Sequence, residues 1–221
     1  MQVNIGGVSV YIGIPVYGSI PPITALSLAH TLFQCGARGI SVEIGMKSRG
    51  IVTWARDAVL DGFLKSDKQK LFWIDSDMAW EPDAFAKMVA LSTVRDVVCA
   101  AYPAKHDTPD YQIAASGKPQ TTDDLGLLEI DGTGLGFTIM DRRVCEAVSR
   151  GCPDLIDQGM TYKQVFRTDA HNGYRRGEDI AFFADIRERG FSIHLDPTIE
   201  LGHVGTKRWQ GRAIDHFKGA E

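Results

Sequence analysis

Short apolar runs alternate with amphipathic stretches through the first half of the chain, and this alternation restricts the fold more than any other feature. Val8 to Pro15, Ile40 to Ile44, Lys70 to Ile74 and Asp96 to Ala101 read as strands, apolar at most positions and rich in β-branched and aromatic residues. A strand that is apolar throughout has to be covered on both faces. Between these runs, Pro21-Pro22 to about Cys35, Ile51 to Leu64, and the segment opened by Glu81-Pro82 read as helices. Proline suits a first helical turn. Val52, Ala55, Val59 and Leu60 recur at helical spacing, and Phe85, Met88 and Val89 share a face. Gly36 and Gly39 are expected to end the first helix. The pattern predicts an α/β protein with a mostly parallel central sheet flanked by helices. Ligands of such sheets lie beyond the carboxyl ends of the strands.

The second half is less regular. Tyr102 to Asp124 is polar and broken by Pro103, Pro109, Gly117 and Pro119, which predicts a long functional loop. Leu127 to Ile130 and Gly136 to Asp141 read as strands joined through Gly132-Thr133-Gly134. Arg142 to Arg150 and Glu178 to Arg189 read as helices, and Ser192 to Leu195 as a late strand. Gly151 to Asn172 is irregular apart from a short strand at Tyr162 to Arg167, and Leu201 to Trp209 reads as a C-terminal tail.

At 221 residues the chain is long enough for one domain with a full core, and a formal net charge of -4 argues against wrapping nucleic acid by bulk electrostatics. Arg175, Arg176, Lys207, Arg208 and Arg212 leave room for a local basic patch. No apolar run is long enough for a membrane span, and no basic segment followed by an apolar run marks a secretory leader. Cys35, Cys99, Cys145 and Cys152 show no metal spacing, so buried thiols in a reducing compartment are expected. A cytoplasmic protein is expected.

Asp75-Ser76-Asp77 follows the apolar run Leu71 to Ile74, so its acids emerge from a buried strand. In extended chain, residues i and i+2 project to the same side. Paired carboxylates repel unless a cation lies between them, and oxygen ligands suit Mg2+ or Mn2+. A solvated strand end is the plain alternative. His203 lies in Leu201-Gly202-His203-Val204-Gly205, and imidazole is acceptable to Mn2+, although a lone histidine is more often a satisfied core group. Gly177-Glu178-Asp179 opens a helix; the acids favour the helix dipole, or one of them serves as a general base. Gly132 to Gly136 fits neither a Walker A loop nor GxGxxG, and reads as a hairpin connection or a place where backbone approaches a ligand.

These four features, in this order, resemble the GT-A glycosyltransferase superfamily, in particular small nucleotide-sugar-dependent transferases of viral or bacterial type. The resemblance implies a GT-A (Rossmann-like) fold over residues 1–221, with 1–101 as the nucleotide-binding half. Residues 102–221 would be the acceptor-binding and catalytic half, with the C-terminal tail. It implies Mn2+ or Mg2+ held by Asp77, with Asp75 and His203. Asp179 would be the base in an inverting enzyme, supported by Glu178. Pro15, Tyr17, Glu43, Arg56, Ser76 and Lys207, with Asp75 again, would contact the donor. Gly134, Leu135, Gly136 and Trp209 would meet the sugar or acceptor, Trp209 from a mobile tail.

The implied reaction moves a sugar from a nucleoside diphosphate, UDP above others, to a hydroxyl of a glycan. Nucleic acid enters only as an acceptor, as a modified viral base. The nearest rival is a nucleotidyltransferase, but Ile14-Pro15-Val16-Tyr17-Gly18-Ser19 lacks the basic residue that chemistry wants after the first strand. A non-catalytic nucleotide- or carbohydrate-binding module is the rival from another class.

Overall fold

Continuous apolar runs at Ser9–Val16 and Lys70–Ile74 set up a sheet with a core on each side. A computed structural model describes residues 5–107, 110–116, 121–157 and 159–218. Pro109, Gly117 and Pro119, read above as loop breakers, lie outside the described residues. The first half holds β1 (Ser9–Val16), α1 (Pro22–Arg38), β2 (Ser41–Ser48), α2 (Val52–Lys65), β3 (Lys70–Ile74), β4 (Met78–Ala79), α3 (Pro82–Leu91) and β5 (Val97–Cys99). Then come β6 (Ile113–Ala114), β7 (Leu128–Ile130), β8 (Gly132–Thr133), β9 (Phe137–Asp141), α4 (Arg142–Ser149), β10 (Asp154–Asp157) and β11 (Met160–Lys163). The chain continues through β12 (Asp169–His171), β13 (Tyr174–Arg176), α5 (Glu178–Glu188), β14 (Ile193–Leu195), β15 (Glu200–Val204), β16 (Arg208–Arg212) and α6 (Ala213–Lys218).

The main sheet has the order β2-β1-β3-β9-β5-β14-β7. Five of its seven strands point the same way; β9 runs antiparallel between β3 and β5, and β7 antiparallel to β14. Successive strand residues alternate faces. On one face Tyr11, Leu71, Trp73 and Met140 pack with Phe63 of α2, Val144 of α4 and Phe182 of α5. On the other, Ile12, Phe72, Ile74 and Ile139 pack with Leu28 of α1 and Phe85 and Met88 of α3. The expected cover on both faces is therefore present, in a mixed but mostly parallel α/β sheet. The described residues contain no helix long and apolar enough to cross a membrane.

Several expected boundaries shift. Helix α1 continues through Gly36 to Arg38 and is capped by left-handed Gly39. Strand β2 runs on to Ser48, past the expected end at Ile44, because pairing with β1 continues to Val16↔Ser48. Gly132-Thr133-Gly134 is not a hairpin connection: β7 lies at the sheet edge and β9 in its middle, while β8 pairs with β6. Residues 164–167 lie outside the strand expected there, and β11 ends at Lys163. The expected tail is an ordered hairpin, β15 and β16, and β15 also pairs with β4.

Arg142 secures the end of α2. Its guanidinium donates to the carbonyls of Phe63 (3.0 Å), Leu64 (3.3 Å), Ser66 (2.9 Å) and Lys68 (2.8 Å), and lies over the Phe63 ring at 4.5 Å. Helix ends leave such carbonyls without helical partners. We expect Arg142→Ala to lower unfolding stability by about 2 kcal/mol, since hydrogen bonds to a charged donor rank among the stronger ones. Arg142→Lys should recover less than half, because ammonium lacks the planar fork. Urea melts of the three proteins check this; an unchanged midpoint for Arg142→Ala would refute it.

Candidate functional site

The site begins where β3 ends. Asp75 N–H donates to Gly136 O at 3.0 Å, which extends the β3–β9 pairing by one residue. Met78 N–H then donates to Asp75 O at 3.2 Å, closing a turn. Asp75-Ser76-Asp77 is thus a turn and not extended chain, and the two carboxylates have different partners. Asp75 Oδ1 lies 3.3 Å from Arg56 Nη2, and its Oδ2 accepts from the Tyr102 hydroxyl at 3.4 Å. Asp77 Oδ2 accepts from Lys105 Nζ at 2.6 Å and lies 3.4 Å from His203 Nε2. Burial works to raise the Asp77 carboxyl, but hydrogen bonds from His203 and Lys105 outweigh it and hold the group below its ordinary value. Ser76 is buried in the same turn.

Strand pairing delivers His203. β15 lies against β4 with His203 opposite Met78, and Val204 N–H donates to Asp77 O at 2.8 Å. The other ring nitrogen, Nδ1, is 3.1 Å from Pro103 O. A carbonyl only accepts, so Nδ1 carries a proton; Nε2 then donates to Asp77 in the imidazolium form, and in the neutral ring offers a lone pair that a cation between the two can take. Metal-binding histidines are commonly fixed in this way. The Tyr102 ring meets the imidazole edge-on at 5.0 Å.

Arg56 ties the site together from below. Far from being a surface charge, its side chain is 3% exposed. It pairs with Asp75, with Glu178 at 3.3 Å and with Asp179, and lies 5.9 Å from the Phe166 ring centre. A guanidinium this deeply buried needs such partners. The sequence reading placed it beside a diphosphate; in the fold it holds three carboxylates.

A cavity of about 330 Å³ opens beside these groups, lined by Tyr102, Lys105, Thr133, Gly134, Asp179 and His203 among others. Of the three acids around Arg56, Asp179 lines it. The glycines explain themselves here: a Cβ on Gly134 would lie 2.3 Å from the Tyr102 hydroxyl oxygen, and one on Gly136 would lie 2.5 Å from Asp75 Oδ2. Leu135, expected near the sugar, is fully buried in the core.

Other expected donor contacts fare differently. Pro15 is a buried residue within β1, paired with Lys47. Tyr17 follows the strand and is 80% exposed, free to meet a ligand. Glu43, expected near the end of a strand closing at Ile44, lies early in β2, which continues to Ser48, roughly 16 Å farther along. Glu43 sits instead near the opposite end of the sheet, 3.8 Å from Lys68. Lys207 pairs with Asp107 and lies over Trp209 at 5.4 Å. Trp209 stands in β16 opposite His203, so it belongs to an ordered hairpin and not to a mobile tail. The late basic residues form no free patch as a group, since Arg176 pairs with Asp169 and Arg212 with Asp215.

Lys105 and Tyr102 were not singled out in the sequence. Their one signal is position, just past the carboxyl end of β5, where sheets of this class bind ligands.

Among the described residues, no three His, Cys, Asp or Glu side chains form a ready-made metal cage. Asp77 and His203 nevertheless fit a divalent cation: they offer a carboxylate oxygen beside an imidazole lone pair, a set acceptable to Mn2+. Such a pair leaves positions for oxygens of a bound ligand. Both Asp75 oxygens are engaged, by Arg56 and by Tyr102.

No protein-family model and no curated protein matches the sequence. Solved structures do. A197 from STIV superposes with a TM-score of 0.59 at 20% identity, over 94% of this chain and 91% of that one. GalNAc-T7, in a crystal structure with UDP, GalNAc and Mn2+, superposes with a TM-score of 0.56 at 11% identity, over 90% of this chain and 44% of GalNAc-T7. At these identities the likeness is one of fold, and the shared fold is Rossmann-like.

The crowding at Gly136 makes a prediction. Gly136→Ala should push the Asp75 carboxylate off Arg56 and lower stability by about 1–3 kcal/mol, the cost of overpacking a close contact. A crystal structure of the variant with Asp75 unmoved would contradict this.

Proposed function

We propose that the chain is a metal-dependent glycosyltransferase of the GT-A type, moving a sugar from a nucleoside diphosphate donor, UDP-linked, to a hydroxyl acceptor such as a glycan. One observation carries the reading: Asp77 faces His203 Nε2, and His203 lines the same cavity as Asp179. The fold shared with GalNAc-T7, a protein crystallised with UDP and Mn2+, supports it. We read residues 1–221 as one working unit, since strands from both halves share the main sheet.

In this reading Asp77 and His203 hold the cation, with Pro103 O fixing the imidazole. A divalent cation bound there supplies Lewis-acid stabilisation of the charge that develops on the departing diphosphate. Lys105, a mobile point charge 2.6 Å from Asp77, is placed to swing from the carboxylate to a phosphate oxygen. The acceptor oxygen forms the new bond to the anomeric carbon as the bond from that carbon to the diphosphate oxygen breaks. The hydroxyl proton passes to Asp179, in an inverting reaction. Arg56 holds Asp179 and Glu178 at the head of α5, so the base is positioned before the acceptor arrives. Tyr17 is available to stack on the base, and Gly134 lets backbone approach the sugar.

Two outcomes test this. Asp179→Asn should cut transfer by at least about 100-fold, in the range of general-base effects, while UDP binding measured by calorimetry stays within about twofold. Transfer at the wild-type rate in that variant would remove Asp179 from its role. Donor turnover should vanish in excess chelator and return with Mn2+, whereas full turnover in chelator would end the metal-dependent reading.

A further inference from the structure

On the lobe built by β10 and β11 a second cavity, of about 240 Å³, is lined by Trp54, Asp57, Leu155, Asp157, Tyr162 and Gln164 among others. None of these residues lines the first cavity. Trp54 stands in the first turn of α2 with 49% of its surface exposed. Asp57 is the reverse, a carboxylate only 2% exposed. Its Oδ1 accepts from the backbone N–H groups of Val165 and Phe166, each at 2.9 Å. Its Oδ2 is buried and has no hydrogen-bond partner among the described residues. Burial pushes this carboxyl up to about 6, against the lowering effect of the two backbone N–H groups. An unpartnered buried oxygen of this kind is costly and calls for a donor.

The remaining wall is already balanced. Asp157 Oδ2 accepts from Arg49 Nε at 3.2 Å, and the Tyr162 hydroxyl donates to Asp157 O at 3.2 Å. The Gln164 side chain adds a carboxamide, able both to donate and to accept. An exposed aromatic face, an oxygen in want of a donor and an amide, around a space smaller than a drug-sized pocket, match a single ring with one apolar face and a hydroxylated rim.

We propose that this cavity is a carbohydrate subsite that holds one neutral pyranose unit, stacked on Trp54 with a hydroxyl directed at the Asp57 carboxylate in its wall. Its assignment to a glycan acceptor, gripping a sugar unit away from the reacting hydroxyl, rests on the transferase reading. The binding itself does not.

The test is therefore a binding measurement with no turnover. Methyl glycosides of glucose, galactose and N-acetylglucosamine are titrated against the full chain, with tryptophan fluorescence and saturation-transfer NMR as readouts. At least one should bind at millimolar concentration, equally well with and without saturating UDP and Mn2+. Trp54→Ala should weaken it at least about tenfold, and so should Asp57→Asn, which keeps the Oδ1 acceptor but replaces the unpartnered oxygen with an amide. Should Asp57→Asn fail to fold, Trp54→Ala decides alone, since the Trp54 ring is half exposed. Absence of binding by all three glycosides overturns the proposal. So does unchanged affinity in Trp54→Ala, competition by UDP, or binding of a primary amine such as putrescine in place of the sugars. Loss of transferase activity with glycoside binding intact would instead strike only the reading of the first cavity.

Discussion

The buried guanidinium of Arg56 is the interaction on which the rest of the site depends. It sits one turn into α2, yet its partners come from the end of β3 and the head of α5. A cation with 3% of its side chain exposed cannot be left alone in the interior, and breaking a buried pair costs more than the pair contributes. Three elements far apart in sequence are therefore pinned to one point. The arrangement is also unbalanced, with three carboxylates against one guanidinium. That surplus of negative charge, together with Asp77 nearby, favours cations in the adjoining cavity. Lys105 already responds to it, pairing with Asp77.

A second set of contacts closes the other side. The segment after β5 reaches the β15–β16 hairpin through Pro103 O and His203 Nδ1, and through Asp107 and Lys207. Lys105 then bridges from this segment to Asp77. The polar stretch after β5 is thus tied down by the hairpin that carries His203, and imidazole orientation depends on both. Loop and hairpin define one wall of the cavity, α5 and β8 the other.

How much of this was legible follows from the physics of each element. β3 ends at Ile74 as read, because a strand buried on both faces shows its full length as an apolar run. Edge strand β2 hides its length, since Glu43, Ile44, Met46 and Ser48 face solvent and interrupt the pattern. Asp77, His203 and Asp179 were singled out by type and by order; the fold sets His203 and Asp179 on one cavity, with Asp77 beside His203. The partnership of Asp75 with Arg56 was not readable, because it depends on a turn that no local signal marked. The β15–β16 hairpin looked like a tail, as its residues are polar and alternate. Strand order was least accessible: nothing local says that Phe137–Asp141 belongs between β3 and β5.

That insertion has a consequence for how the chain is made. β3 and β5 never touch each other as ladder partners; each pairs with β9. A nascent chain that has emerged only through Cys99 has no ladder partner for β5 and none for the free edge of β3. Two strand edges stay open until Phe137–Asp141 leaves the ribosome, and unpaired edges invite pairing with other chains. The sheet that carries Asp75 and Asp77 is completed by a late, sequence-distant strand, a topology that slows folding. Synthesis of this protein therefore includes a vulnerable interval between β5 and β9, when chaperone capture and strand exchange compete with native closure.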